Sequence, residues 1–304
     1  MGLKITKAQD PLTVDRLVVC IYAPPGLGKT TVGFSAAKPL LLDFDRGAHR
    51  AANRGDSVQV DAWRDVASMT ADDLADYETL VVDTAGRALD CLSADIIRRN
   101  PKMGRAGALT LQGYGQLKSE FSAWTKLVRS FGKDLVLLAH SSEDKSGDDL
   151  IERIDMQGGS KGEVYKVSDA MGRLSMVPGR KWPTLTFSPT DTAFGKNPGQ
   201  LDPLPVPDVS AEPEFLGGVI QTIKDRLNAL TEEQKRRQSL VADWSAKIQD
   251  ASDAEAVNEM LPDILKADDA IRQTVKGILH RHATETLSLE FDKSASEYKA
   301  RDAA

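Results

Sequence analysis

Four short apolar runs punctuate the first half of the chain: LVVCIY (17–22), PLLLDFD (39–45), ETLVVDT (78–84) and DLVLLAH (134–140). Runs of this length, rich in Val and Leu and without polar alternation, predict strands buried on both faces. Between them the pattern changes to a helical period, over about 29–37 and more clearly over TLQGYGQLKSEFSAWTKLVRSF (110–131). Buried strands alternating with helices predict an α/β domain with a mostly parallel, doubly covered sheet. Such sheets bind ligands at the carboxyl ends of their strands. Those ends carry Asp43 and Asp45, then Asp83, then His140.

After His140 the texture changes. SSEDKSGDDLIERIDMQGGSKGE (141–163) is polar and Gly-bearing and reads as a long mobile loop. GRLSMVPGRKWPTLTFSP (172–189) predicts a hairpin turning near PGRK. KNPGQLDPLPVPDVSAEPEF (196–215) is Pro-rich and signals a boundary. Three or four helices are expected beyond it, with TEEQ (231–234) and SDAE (252–255) as capping boxes. The expected organisation is a core over 1–195, a linker over 196–212 and a helical domain or tail over 213–304.

Length and charge refine this picture. The 304 residues suffice for one substantial core plus an appendage. With 41% hydrophobic and 28% charged residues, the chain has the composition of a soluble globular protein. No stretch approaches the roughly 20 apolar residues of a membrane span, so no membrane role is expected. The N-terminus lacks an apolar signal region, and a cytoplasmic location is expected. Gly2 and Thr6 match the permissive N-myristoylation pattern, read here as coincidence. Two unclustered cysteines, Cys20 and Cys91, argue against a disulfide framework or a zinc site. Residues 201–304 hold 20 Asp/Glu against 13 Lys/Arg, a net −7, which leaves +1 for residues 1–200. A polyanion could therefore meet the first part but not the second as a whole.

The chemistry begins at Ala23, Pro24, Pro25, Gly26, Leu27, Gly28, Lys29, Thr30 and Thr31, between a strand and a helix. This is the P-loop pattern with Ala23 at its first glycine position. Gly26 and Gly28 let backbone N–H groups turn inward around phosphate oxygens. Lys29 is expected on the β- and γ-phosphates of ATP and the Thr30 hydroxyl on Mg²⁺. Asp83 ends its strand as a Walker B carboxylate does, beside the metal. Asp43 and Asp45 end the strand before it, and either could orient or deprotonate the attacking water. Asp45 is nearer the tip and is the preferred group; capping of a local turn is the alternative for both. His140 is a candidate γ-phosphate contact, with a structural role as the alternative.

A second set of residues suggests a polyanion. Arg98, Arg99, Lys102 and Arg105 fall in one turn-prone stretch, and Lys145, Arg153, Lys161 and Lys166 follow His140. Basic loops off the nucleotide-binding edge could grip a phosphodiester backbone, with Tyr114 and Tyr165 stacking on bases. Solvated surface charge is the alternative.

The order of YAPPGLGKTT, PLLLDFDRG, YETLVVDTAGRALD, the GYGQL helix, LVLLAH and KVSDAMGRL resembles the RecA-like ATPase core. More narrowly it resembles the phage-type single-strand annealing and recombination ATPases, the fourth Sak group. The resemblance covers about residues 15 to 190. It implies a RecA-like P-loop NTPase core followed by a small helical domain. It also matches Asp45 to the catalytic acid, often Glu in that family, Asp83 to the Walker B acid, and His140 to a polar sensor. It further implies an ATPase that assembles with itself, as an oligomer or filament, on single-stranded DNA, and that works with a single-strand-binding protein. In such assemblies a neighbour's basic residue completes the site, and Arg173, Arg180 and Lys181 are the candidates. Two other readings stay open: a small-molecule kinase with RRNPKMGR as a lid, and a nucleotide-controlled interaction switch with the acidic tail as its output.

Overall fold

A computed structural model describes residues 13–146, 149–156 and 160–300. Gly2 and Thr6 lie outside these residues, as do 147–148 and 157–159 of the polar segment after His140. Contacts divide the chain into a unit over Val14–Leu227 and a second over Met1–Thr13 with Asn228–Ala304.

The first unit begins β1 (Val18–Ala23), α1 (Lys29–Gly33), β2 (Pro39–Asp43), β3 (Ser57–Gln59), α2 (Arg64–Ala67), β4 (Thr79–Asp83) and α3 (Ala85–Arg99). It continues through β5 (Gly104–Arg105), β6 (Ala108–Leu109), α4 (Leu111–Ser130), β7 (Asp134–Ser146), β8 (Asp149–Ile154) and α5 (Ser160–Val167). It closes with β9 (Ala170–Ser175), β10 (Thr184–Thr186), β11 (Leu204–Pro205) and the start of α6 (Phe215–Gln249). The sheet order is β11-β10-β9-β1-β7-β4-β2-β3. The stretch from β9 to β3 is wholly parallel, while β10 and β11 are antiparallel additions at one edge. The chain is thus an α/β protein with the expected mostly parallel P-loop core and C-terminal helices.

The strands read as unbroken apolar runs because both faces are covered. Val18, Cys20 and Tyr22 pack on one side with Leu89, Leu92 and Ile96 of α3 and Leu117, Phe121 and Trp124 of α4. Val19, Ile21 and Ala23 point the other way, into a cluster with Val32. Period-two alternation is present, but water sees neither side. Burial drives the Cys20 thiol up to about 12, which makes it a core side chain rather than a reactive one.

Four expectations are corrected. The segment after His140 is not a loop: β7 runs on to Ser146 and pairs antiparallel with β8, Ser141 opposite Ile154. Its polar composition reflects a hairpin beyond the buried part of the sheet. The Pro-rich stretch 196–212 is not a boundary. Leu201, Val206 and Val209 bury against the second sheet face, followed by Leu216, Val219, Ile220 and Ile223 of α6. Buried Lys224 on α6 pairs with Asp134 at the start of β7, and Asp134 also accepts the Leu17 N–H at 2.8 Å. The helix expected over 29–37 is shorter: past Gly33 the chain tightens into turns, with the Ser35 N–H on the Val32 carbonyl and the Ala36 N–H on the Gly33 carbonyl. TEEQ lies inside α6 rather than at a helix start.

The second unit contains the rest of α6, α7 (Ala254–Lys266), α8 (Asp269–Arg281) and the hairpin β12 (Leu289–Asp292) with β13 (Glu297–Ala300). Ile248, Val257, Ile264, Ile271, Val275 and Leu279 form its core. Within SDAE the cap is Asp253, which accepts the Ala256 N–H at 2.9 Å. The terminal hairpin was not foreseen. Among the described residues no helix is long and apolar enough to cross a membrane.

Candidate active site

Strand order determines which side chains meet. β7 lies between β1 and β4, with Ala23 in register with His140 and Asp83 opposite Leu138. The histidine therefore sits between the P-loop and the Walker B position. β2 pairs with β4 so that Asp43 and Asp83 are opposite. All four strand ends open on one cavity of about 490 Å³, lined by Gly28, Lys29, Thr30, Asp45, Asp83 and His140 among others.

The P-loop starts from a strand buried at all six positions. Gly26 and Gly28 have φ of 84° and 77°. Space is not what excludes a side chain there, since a Cβ would meet nothing within 4 Å; the left-handed backbone is. Ala23, Leu27 and Thr31 hold the loop: Ala23 is buried, Leu27 packs on the second core cluster, and the Thr31 carbonyl accepts from Asn53 at 3.1 Å. Pro24 and Pro25 are exposed at its outer turn. Lys29 is 6% exposed and donates to the carbonyls of Ala23 and Pro24, each at 3.0 Å. Burial lowers its pKa to about 8, with Asp83 and Asp45 pulling the other way.

The Thr30 hydroxyl donates to Asp83 at 2.7 Å. Asp83 is 3% exposed, and burial raises its pKa, the Thr30 bond opposing. A desolvated carboxylate beside a hydroxyl, at the edge of this cavity, is a donor set that suits Mg²⁺. That ion takes one or two protein oxygens and fills its remaining positions with phosphate and water. Among the described residues no cluster of three or more His, Cys, Asp or Glu offers a site made of protein alone.

The two aspartates of DFD separate cleanly. Asp43 is 6% exposed and accepts the Gly47 and Ala48 N–H groups, both at 2.9 Å. It caps the turn after β2. Asp45 faces the cavity instead, with Arg87 at 3.5 Å and Arg50 and His140 each at 3.8 Å. Burial, and then Lys29, lower the His140 pKa and favour the neutral imidazole, with Asp45 and Asp155 opposing. Among the described residues its buried Nδ1 has no hydrogen-bond partner.

Arg50 and Arg87 were missed by sequence reasoning, although both line the cavity. Arg87 is in the first turn of α3, four residues after Asp83, and Arg50 ends a short 3-10 turn over Ala48–Arg50. A basic residue just past a site-bearing strand end was the available signal.

The expected basic cluster is not assembled at this edge. α3 starts at the cavity, so Arg98 and Arg99 lie about 20 Å further along its axis. Both pair with Asp95, at 2.6 and 2.7 Å, and Arg99 also pairs with Glu120 at 2.7 Å. Lys102 and Arg105 are exposed in the connection that follows. Lys161 is in the first turn of α5 and Lys166 in its last, while Arg153 packs over the Phe194 ring at 5.5 Å. The side chain of Lys145 lies outside the described residues. Tyr165 is not presented for stacking on bases: its ring packs on Phe194 at 4.9 Å, and burial drives its hydroxyl up to about 12. Tyr114 leans on the first core cluster. Arg173 pairs with Glu152 of its own chain at 3.1 Å, whereas Arg180 and Lys181 are exposed in the β9–β10 turn.

Comparison with known proteins gives one family. A family model described as an AAA domain matches residues 15–198. No curated protein matches the chain. Among solved structures, a KaiC-like protein from the hyperthermophilic archaeon Pyrococcus horikoshii is similar at 10% identity and a TM-score of 0.32. That alignment covers 57% of this chain and 77% of the other.

Proposed function

This chain belongs to the AAA domain family of P-loop ATPases, and we propose on that premise that it hydrolyses ATP with Mg²⁺ while assembling on single-stranded DNA. The observation that carries the hydrolytic part is the convergence of Lys29, the Thr30–Asp83 pair and Asp45 on one cavity. In this reading the P-loop N–H groups cradle the phosphates, and Lys29 leaves the Ala23 and Pro24 carbonyls for the β- and γ-oxygens. Thr30 and Asp83 would hold Mg²⁺, which when bound would supply positive charge beside the phosphate oxygens. Asp45 accepts the proton of the attacking water or orients it. Neutral His140 contacts the terminal phosphate.

The DNA part rests on the order of motifs, which resembles the phage annealing and recombination ATPases, and on the near-neutral first 200 residues. The same resemblance extends the proposal to self-assembly, with Arg180 or Lys181 reaching a neighbour's site, and to a single-strand-binding protein as partner. Phosphate release, measured with and without single-stranded DNA, tests it. Stimulation of several-fold or more is expected; an unchanged rate removes the DNA role and leaves the ATPase.

One observation favours a second reading, a small-molecule kinase. A cavity of about 220 Å³, lined by Thr84, Arg87, Asp90, His140 and Asp155, adjoins the first. A phosphoryl acceptor could stand there. Transfer of label from γ-labelled ATP to a small molecule rather than to water would support that reading.

A further inference from the structure

Asp45 is surrounded by cations of its own chain. Its Oδ1 lies 3.5 Å from Arg87 Nε, and its Oδ2 lies 3.8 Å from Arg50 Nη2. Both guanidinium side chains are more than half exposed, at 62% and 66%, while Asp45 is 26% exposed. The contacts are loose. They exceed the 2.7–2.9 Å of a charge-assisted hydrogen bond, and such exposed pairs cost little to separate. Both arginines line the same cavity as the P-loop, and Arg87 also lines the adjoining cavity. A terminal phosphate in front of Lys29 would carry more charge than one carboxylate. It would also offer oxygens that match a guanidinium fork.

We propose that Arg50 and Arg87 form a γ-phosphate-recognising pair supplied by the same chain as the P-loop. They exchange Asp45 for the terminal phosphate of a bound nucleoside triphosphate and so free Asp45 to act on water. The inference rests on the ATPase reading and deepens it. Arg87 Nη1 also lies 3.6 Å from Asp90, a second loose and exposed carboxylate contact that the exchange would leave or keep at little cost. Diphosphates do not present the terminal group, so the pair discriminates triphosphate from diphosphate. No second subunit is needed for that discrimination.

The test is a competition titration of the full chain with Mg²⁺, in which ADP or ATPγS displaces a fluorescent ADP. The intact chain should prefer ATPγS. In the double variant Arg50→Ala with Arg87→Ala, ATPγS affinity should fall about tenfold or more, as expected for lost charge-assisted bonds, with ADP affinity changed less than about twofold. Arg50→Lys with Arg87→Lys should recover part of the preference, because charge remains while the fork is lost. Since both side chains are exposed, the variants should melt with the intact chain. Equal losses for ADP and ATPγS, or no loss for either, would overturn the proposal. So would a preference in the intact chain that appears only as protein concentration rises. Lys29→Ala should weaken both nucleotides, which ties the signal to this cavity. An intact chain that binds neither nucleotide would sink the ATPase reading, and this inference with it.

Discussion

Arginine meets carboxylate at both ends of α3, and the two ends behave differently. At the far end Arg98 and Arg99 close on Asp95 and Glu120 at 2.6–2.7 Å. At the cavity end Arg50 and Arg87 stand 3.5–3.8 Å from Asp45. The tight set has its hydrogen bonds made and fastens α3 to α4. The loose set has unspent hydrogen-bonding capacity beside a cavity. Counting basic residues along the sequence favours the far end, because its arginines are adjacent. Geometry favours the near end, where cations from separate segments converge on a ligand-sized space.

The strongest test of this contrast is removal of the groups around which the cavity is organised. Lys29→Ala and Asp83→Asn should each lower the turnover number about 100-fold or more, the scale of losing a preorganised charge in phosphoryl transfer. Near-normal phosphate release in both variants would place the nucleotide elsewhere.

Next in size is the pair of aspartates two residues apart. Asp45→Asn should slow hydrolysis about 100-fold with ATP affinity kept, the typical contribution of a general base. Asp43→Ala should instead cost about 1 kcal/mol of stability through two lost N–H caps. Its rate per folded molecule should stay closer to that of the intact chain. The reverse pattern, in activity assays paired with denaturant melts, would exchange their roles.

A pH series sharpens the picture of Lys29. Its pKa is about 8 in the fold against an ordinary 10.5. Between those values the unfolded chain binds the proton more tightly, so this group adds stability as pH rises through that window. Melting of the intact chain, relative to Lys29→Met, should therefore shift upward from pH 8 to pH 10. A constant difference would mean that Lys29 is not desolvated.

The smallest effect belongs to the far end. Arg98→Ala with Arg99→Ala should leave ATP turnover unchanged and lower stability by about 0.5–1 kcal/mol, as exposed pairs do. A uniform loss of single-stranded DNA binding, with a flatter salt dependence, would instead show that these side chains leave Asp95 for phosphates.

Much of the nucleotide-binding edge was legible because its signals are local. A Gly-rich turn after a buried strand, and acids or a histidine at strand ends, are written in consecutive residues. Arg50 and Arg87 were not legible in this way. Long side chains reach across segments, and only the strand order shows that the stretches after β2 and β4 face each other. The hairpin after His140 was obscured by its polarity, because a ribbon outside the core lacks the apolar signal used to find strands. The prolines of 196–212 suggested a linker, yet extended chain lying on a sheet face also tolerates proline. There the informative residues were Leu201, Val206 and Val209, whose spacing follows no regular period.

The buried Lys224–Asp134 pair has a mechanical consequence. It fixes the first residue of β7 to α6, and the Leu17 N–H fixes the same carboxylate to the start of β1. β7 then runs to Ser146, with His140 half-way along. At about 3.3 Å per residue, the histidine stands about 20 Å from that anchor and the hairpin end about 40 Å. From Asp134 to His140 the strand is also held by its ladders to β1 and β4, so the cantilever begins at His140 and only the ribbon beyond it is free to tilt. A tilt about that clamp displaces the hairpin end while His140 keeps its place over the cavity.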